Sequence, residues 1–204
     1  MELDLEGKHA DRAYALLSAL VTPRPIAWVT TVDMEGLINV APFSFFNVLG
    51  VHPPVVGFCP ADRADGTPTL TVRNIASTHE FVVNLVDESV AEAMLQTTAS
   101  LPPGICKLER AGLTTGLSTA VRPPRIAESP ASLECTEYQT LQIGANRLVI
   151  GLVKRIHVRE ELLDSVNWRI RTERFLAVGR LGGSNWYCRT QDRFELPPSN
   201  VVGG

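Results

Sequence analysis

The sequence predicts a mainly β protein in which about six antiparallel strands close as a barrel, flanked by short helices. Three observations predict it. Apolar, β-rich runs follow one another from Pro25 to Pro60 with only the turn-like spacers "DMEG" and "GVHPP" between them. A long pair of runs between Ser132 and Glu160 folds back on itself at the "GAN" step, Gly144 to Asn146. Strand also follows strand without the intervening helices that a doubly wound parallel sheet needs.

In chain order, "ADRAYALLSAL" (Ala10 to Leu20) repeats apolar side chains every three to four positions, predicting a helix that Pro23 and Pro25 stop. Strands follow at "PIAWVTTV", "NVAPFSFFNVLG" and "PPVVGFCP", and another at "EFVVNLV". Two helices are expected, "TVRNIAST" and "DESVAEAMLQTTAS", the second capped by Asp87 or Ser89. The segment from Leu101 to Pro130 has several prolines and little periodicity, so it is expected to be a surface excursion, an arm or a lid. In the C-terminal hairpin Leu133, Cys135, Glu137 and Gln139 alternate, and beyond Arg189 a polar, proline-bearing tail is expected to fray or to wrap a neighbour. The whole, residues 1 to 204, is expected to be one domain with its core at about 21 to 187.

Composition narrows the function. Hydrophobic residues make up 45 % and charged residues 20 %, within the globular range, which excludes a disordered chain or a coiled coil. The net charge of −3 and the absence of Lys/Arg runs argue against nucleic acid. Cys59, Cys106, Cys135 and Cys188 lie too far apart for a zinc site or a redox dithiol, so no metal is expected and a reduced, cytoplasmic chain is. The charged N-terminus has no apolar leader, and no apolar run reaches the ~18 residues of a membrane helix.

Three stretches carry chemistry. In "TPRPIAWVTT" alternation puts Ile26, Trp28 and Thr30 on one face and Ala27, Val29 and Thr31 on the other. Both faces are partly apolar, and threonine is also simply a good strand residue. In "NVAPFSFFNVLG" Pro42 removes a ladder donor, which implies a strand edge or a bulge and leaves neighbouring backbone groups free. A planar heteroaromatic such as an isoalloxazine is one ligand that could use those groups while Phe43, Phe45 or Phe46 covers its face. A third piece, "ADRADGTPTLTVRNI", joins a turn at Gly66 to Thr67-Pro68, a helix-opening pair. Its free amides, the hydroxyls of Thr67, Thr69 and Thr71, and Arg63 or Arg73 would suit one phosphate group; an ordinary capped helix with solvated arginines is the alternative. "VGRLGG" lacks dinucleotide-loop spacing, His157 stands alone on a strand, and no nucleophile elbow supports hydrolysis.

Taken in order, "RPIAWVTT", "NVAPFSFFNVLGVHPPVVGF", "TLTVRNIASTHEFVVNLV" and "GRLGGSNWY" resemble the flavin reductase-like family of FMN-binding split barrels, over about Val21 to Tyr187. The resemblance implies a six-stranded antiparallel split barrel and a homodimer with FMN, or FAD, at the subunit interface. It also implies NAD(P)H-dependent flavin reduction, with NAD(P)H a transient co-substrate and a monooxygenase or other electron acceptor downstream. A flavoredoxin-like electron carrier and a non-catalytic flavin-binding module are the alternatives. By position, Thr30, Thr31, Asn39, Ala41, Pro42, Phe43, Ser44 and Asn47 correspond to residues lining the flavin ring and ribityl chain, and Cys59, Arg63, Thr69, Thr71 and Arg73 to the phosphate side. Many members carry Lys-Asp-Thr where this chain has Thr69, Leu70 and Thr71, which leaves the phosphate charge to Arg63, Arg73 or the partner subunit. No catalytic side chain is implied, since nicotinamide-to-flavin hydride transfer needs alignment and electrostatics and no general base.

Overall fold

The run with two apolar faces forms β1 (Ala27–Val32), buried at every position. A computed structural model describes residues 1–99 and 107–197 and places this strand between two cores. Ile26 and Trp28 belong to one, with Val86, Met94 and Ile126, while Ala27 and Val29 belong to the other, with Phe58, Phe81 and Cys135. The other strands of its sheet are β2 (Ile38–Phe43), β3 (Phe46–Val51), β4 (Pro54–Phe58), β5 (Glu80–Asn84), β6 (Ala131–Ile143) and β7 (Asn146–Val158), beside which, among the described residues, three short two-stranded ribbons form. They pair antiparallel in the order β2-β1-β5-β6-β7-β4-β3.

The sheet has seven strands where six were expected. "NVAPFSFFNVLG" breaks at Ser44-Phe45 and supplies both β2 and β3. Those two strands are the opposite edges of the sheet and are joined by only two residues, so the sheet has to curl until its edges meet. Ring contacts agree. Phe43 on β2 and Phe58 on β4 are five strand steps apart, about 24 Å in a flat sheet at ~4.8 Å per step. Their ring centroids lie 5.0 Å apart, and Phe58 meets Phe81 of β5 at 5.5 Å. The result is an antiparallel barrel, split between β2 and β3. Its interior is close-packed: a Cβ at Gly151 would lie 2.2 Å from Cζ of Phe81.

The helices are short. The opening helix divides into a 3-10 turn (Ala10–Arg12) and α1 (Ala13–Leu20), whose apolar side chains Tyr14, Leu17 and Leu20 stay exposed. Helix α2 (Leu70–Thr78) buries Thr71, Val72, Asn74, Ile75 and Thr78 at three-to-four spacing, and His79 closes it in the left-handed region with φ 57°. Val72 and Ile75 fill the barrel interior beside Phe58 and Phe81. The third helix begins as expected at Asp87, whose carboxylate accepts from the amide of Ser89 (3.0 Å), and becomes α3 (Ala91–Gln96) after a 3-10 turn.

The segment expected as an arm or lid lies partly outside the described residues, which omit 100–106. From Lys107 onward it is neither arm nor lid. Leu108, Leu113 and Ile126 are buried in the core that Trp28 joins. Glu134 on β6, fully buried, accepts hydrogen bonds from the amides of Thr119 (2.8 Å) and Ala120 (2.5 Å) and is bonded to His157. Proline content had suggested a detached loop; the buried carboxylate and the apolar anchors fasten it down. The tail is described to residue 197, where Arg189 pairs with Glu88 (2.8 Å) and the following side chains are exposed; 198–204 lie outside the described residues.

Candidate functional site

Ser44 and Phe45 bridge the split, and three cavities open beside them. The largest, about 580 Å³, is lined by Tyr14, Leu17, Arg24, Ser44, Phe45 and Asn47 among others and is mostly apolar. A second of about 230 Å³ runs past Pro42, Phe43, Ser44, Cys59 and Asn146. The third, about 220 Å³, lies between Ser44, Met94, Arg180, Asn185 and Tyr187. Ser44 is common to all three. Pro42 sits in β2 opposite Trp28, on an edge strand, which is where a missing amide donor is tolerated.

Of the residues expected to meet a flavin ring, Pro42, Phe43, Ser44 and Asn47 line these cavities. Ala41 is half-buried on β2, opposite Val29. Thr30, Thr31 and Asn39 lie deeper, with their polar groups engaged inside the protein. Thr30 donates to the carbonyl of Pro124 (2.6 Å). Asn39 Nδ2 donates to Thr31 Oγ1 (3.2 Å) and to Thr71 Oγ1 (3.0 Å), and Asn74 Nδ2 donates to Thr31 Oγ1 (3.1 Å). This network is buried and fixes β1 and β2 against the start of α2.

The start of α2 is the other half of the candidate site and lies outside the lining of the three cavities at the split. Thr69 is the N-cap of α2 but makes no side-chain cap bond, and its buried Oγ1 has no partner. A buried hydroxyl without a partner is uncommon and calls for a reason. Arg63 and Arg73 are exposed nearby, and among the described residues neither guanidinium forms an ion pair. The hydroxyl of Thr67 is not free: it donates to Asp65 (2.6 Å), a contact that holds the Asp65 carboxyl below its ordinary value. Thr71 Oγ1 accepts from Asn39 and retains its own hydrogen to give.

The two halves are tied together twice. Along β2, five residues at about 3.3 Å each separate Asn39, which bonds the helix, from Ser44 at the split, roughly 16 Å. The other tie leaves the split at Cys59, whose amide donates to the carbonyl of Phe45 (2.8 Å), and turns at Arg63, whose amide donates to Thr67 (2.8 Å), into the cap of α2. Cys59 itself is half-buried beside Ser44, and burial pushes its thiol up from the ordinary value. An orphaned hydroxyl with uncapped helix amides and two free cations at one end, and an aromatic-lined opening at the other, fit an elongated ligand with a flat ring and a phosphate.

Sequence patterns did not single out Arg24. It is 7 % exposed and contacts Ser44 Oγ through Nε (3.4 Å), while Nη2 donates to the carbonyl of Leu181 (3.2 Å) and Nη1 to Val21 (3.2 Å) and Ser18. The available signal was "RLGG". At Gly182 a Cβ would lie 2.7 Å from Ala19, so only glycine lets that loop approach α1 closely enough to clasp the arginine. Asn146, which lines two of the cavities, was also missed.

A family model described as "Flavin reductase like domain" matches residues 19–175. A protein of Aquifex aeolicus is 41 % identical over 183 residues, covering 90 % of this chain and 93 % of its own. Among solved structures, nitrilotriacetate monooxygenase component B from Bacillus cereus is 34 % identical with a TM-score of 0.90, over 96 % of this chain and 98 % of that one. The 2-nitrobenzoate 2-nitroreductase NbaA of Pseudomonas fluorescens is 36 % identical with a TM-score of 0.88, over 100 % and 99 %.

Proposed function

Given that the chain belongs to the flavin reductase-like domain family, and so to the oxidoreductases that work with flavin, we propose that it is an NAD(P)H-dependent reductase of FMN. The observation that carries the choice of a phosphorylated flavin is the unpartnered Thr69 hydroxyl at the head of α2. Thr69, the first amides of α2, Arg63 and Arg73 would hold the phosphate. Pro42, Phe43 and Ser44 would line the ring, with Asn47 beside them. When bound, flavin supplies the two-electron chemistry, accepting hydride from a reduced nicotinamide.

The chain's own work is then positional. The Asn39, Thr31, Thr71 and Asn74 network locks the strand under the ring to the helix under the phosphate. Phe43 and Phe45, which border the cavities at the split, would shield a bound ring from water on their side. Supply of reduced flavin to a monooxygenase follows the similarity to the Bacillus cereus component B. A homodimer fits the exposed apolar side chains Tyr14, Leu17 and Leu20 of α1 with Val48, Leu49 and Val51 of β3, an uncovered edge strand. The thiols of Cys59, Cys135 and Cys188 are unpaired and suit a reducing cytoplasm.

Fluorescence titration with FMN, FAD and riboflavin, followed by NADH or NADPH under anaerobic conditions, tests the proposal. The expected result is tightest binding of FMN and bleaching of its visible band by nicotinamide. A chain that ignores all three flavins would refute it.

A further inference from the structure

Arg24 is a buried cation without a counter-ion. Its hydrogen-bond partners are the carbonyls of Ser18, Val21 and Leu181 and the hydroxyl oxygen of Ser44, all neutral, and no carboxylate pairs with it among the described residues. Burying a guanidinium without an anion is expensive, and carbonyl dipoles compensate only in part. The neighbouring cation, Arg180, is half-buried and likewise has no carboxylate partner among the described residues. Arg180 bridges Arg24 through paired backbone bonds (2.9 and 2.8 Å), lies over the ring of Tyr187 (4.8 Å) and bonds only to the carbonyls of Gly183, Ser184 and Trp186. Two cations without a carboxylate partner among the described residues thus stand at the split: Arg24 borders the largest cavity and Arg180 the smallest, and Ser44, which Arg24 contacts, borders all three.

The contact also sets the direction of the serine. Nε of Arg24 is a donor only, so it occupies the oxygen of Ser44, and that hydroxyl donates to nothing among the described residues. Its hydrogen is left for whatever enters the three cavities that share it.

We infer that Arg24 is a positioning residue acting through Ser44: it fixes the serine as a one-way hydrogen-bond donor with a positive charge behind it, and so favours reduced flavin over oxidised flavin. The inference rests on the reading that the flavin ring lies against Ser44. Transfer of hydride from a reduced nicotinamide oxidises the nicotinamide and adds one proton and two electrons to the neutral ring, which gains one negative charge. A donor backed by a cation strengthens as that charge develops, whereas a neutral backbone donor would distinguish the two states less.

The test is the reduction potential of the bound flavin, measured by dye-coupled titration, beside the affinity for the oxidised form. Ser44→Ala is expected to weaken binding of reduced relative to oxidised flavin about tenfold, a fall of about 30 mV for a two-electron couple. Ser44→Thr keeps the hydroxyl and should restore the potential. Arg24→Gln should lower it as much as Ser44→Ala does, the double variant no further, and Arg24→Lys should recover part of the loss. If Arg24→Gln does not fold, the serine pair still decides. Bound flavin with an unchanged potential in Ser44→Ala, or Arg24→Gln and Ser44→Ala shifts that simply add, overturns the inference and leaves the flavin reading intact. A wild-type chain that binds no flavin overturns both.

Discussion

Replacing Thr69 with valine separates the two roles a helix-capping threonine can have. Valine keeps the shape and the extended backbone of the N-cap (φ −61°, ψ 160°) and removes only the hydroxyl. Were that hydroxyl an ordinary cap, its loss would cost about 0.5–2 kcal/mol of stability. In the structure it caps nothing and is buried without a partner. An unsatisfied buried polar group costs about 1–3 kcal/mol, so Thr69→Val should leave the ligand-free protein as stable as before or stabilise it. At ~2–4 °C of Tm per kcal/mol for a chain of this size, the change should read as a level or rising Tm of a few degrees. With FMN the sign reverses. A hydrogen bond to a charged phosphate contributes about 1.5–3 kcal/mol, and at ~1.4 kcal/mol per decade its loss weakens FMN roughly 10- to 100-fold. Riboflavin has no phosphate, so its affinity should not move. Parallel fluorescence titrations with the two flavins and a thermal melt of the empty protein give all three quantities. A lowered Tm with equal losses for FMN and riboflavin would show that Thr69 is a cap and that the phosphate lies elsewhere.

Four further outcomes are expected. Thr71→Val should cost about 1–3 kcal/mol, because it strands one N–H of Asn39 Nδ2 in a buried site; an unshifted thermal melt would contradict the network. Burial alone would raise the Glu134 carboxyl, but the amides of Thr119 and Ala120 together with His157 outweigh it and hold it below the ordinary value. Its contribution to stability is therefore complete above the unfolded value of about 4.3 and drains away as pH falls through the lower folded value, so denaturant midpoints of wild type and Glu134→Gln should converge in acid and diverge above it. Gly151→Ala forces a methyl to within 2.2 Å of Phe81 and should destabilise by about 1–3 kcal/mol in urea unfolding, with an unchanged midpoint arguing against so tight an interior. Burial pushes the Cys135 thiol far above its ordinary value, so iodoacetamide at neutral pH should modify Cys135 only after denaturation, as peptide mapping would show.

Much of the barrel was legible because local rules and the fold agreed. The two-sided apolar pattern of β1 has its counterpart in two cores, and the "GAN" step between two alternating runs in a hairpin that closes from Ile143 to Asn146. The break at Ser44-Phe45 was not legible. It contains neither glycine nor proline, and what sets it is closure of the sheet, which pairs residues far apart in sequence. Pro42, the visible irregularity, marked the edge strand correctly but not the position of the break. The excursion was misjudged for a related reason: its fastening is a carboxylate on another strand, Glu134, invisible in the loop's own composition. Within the site, the threonines could be found by type, but which hydroxyl is spent and which is free depends on neighbours such as Asp65 and Asn39. Arg24 gave no pattern of its own, since a buried arginine and a solvated one look alike in sequence, and only the glycine of "RLGG" pointed to the loop that clasps it.

The two-residue hop between the edge strands has a kinetic side. Hairpins such as β3 with β4 can form from local chain alone, but β2 and β3 become neighbours only after distant pairings such as Val56 with Gly151 have rolled the sheet shut. Ser44 therefore has no pocket to face until folding is finished. A ligand lodged there meets only completed molecules: it deepens the native basin by mass action and slows escape from it, and it gives no help to a chain still on the way.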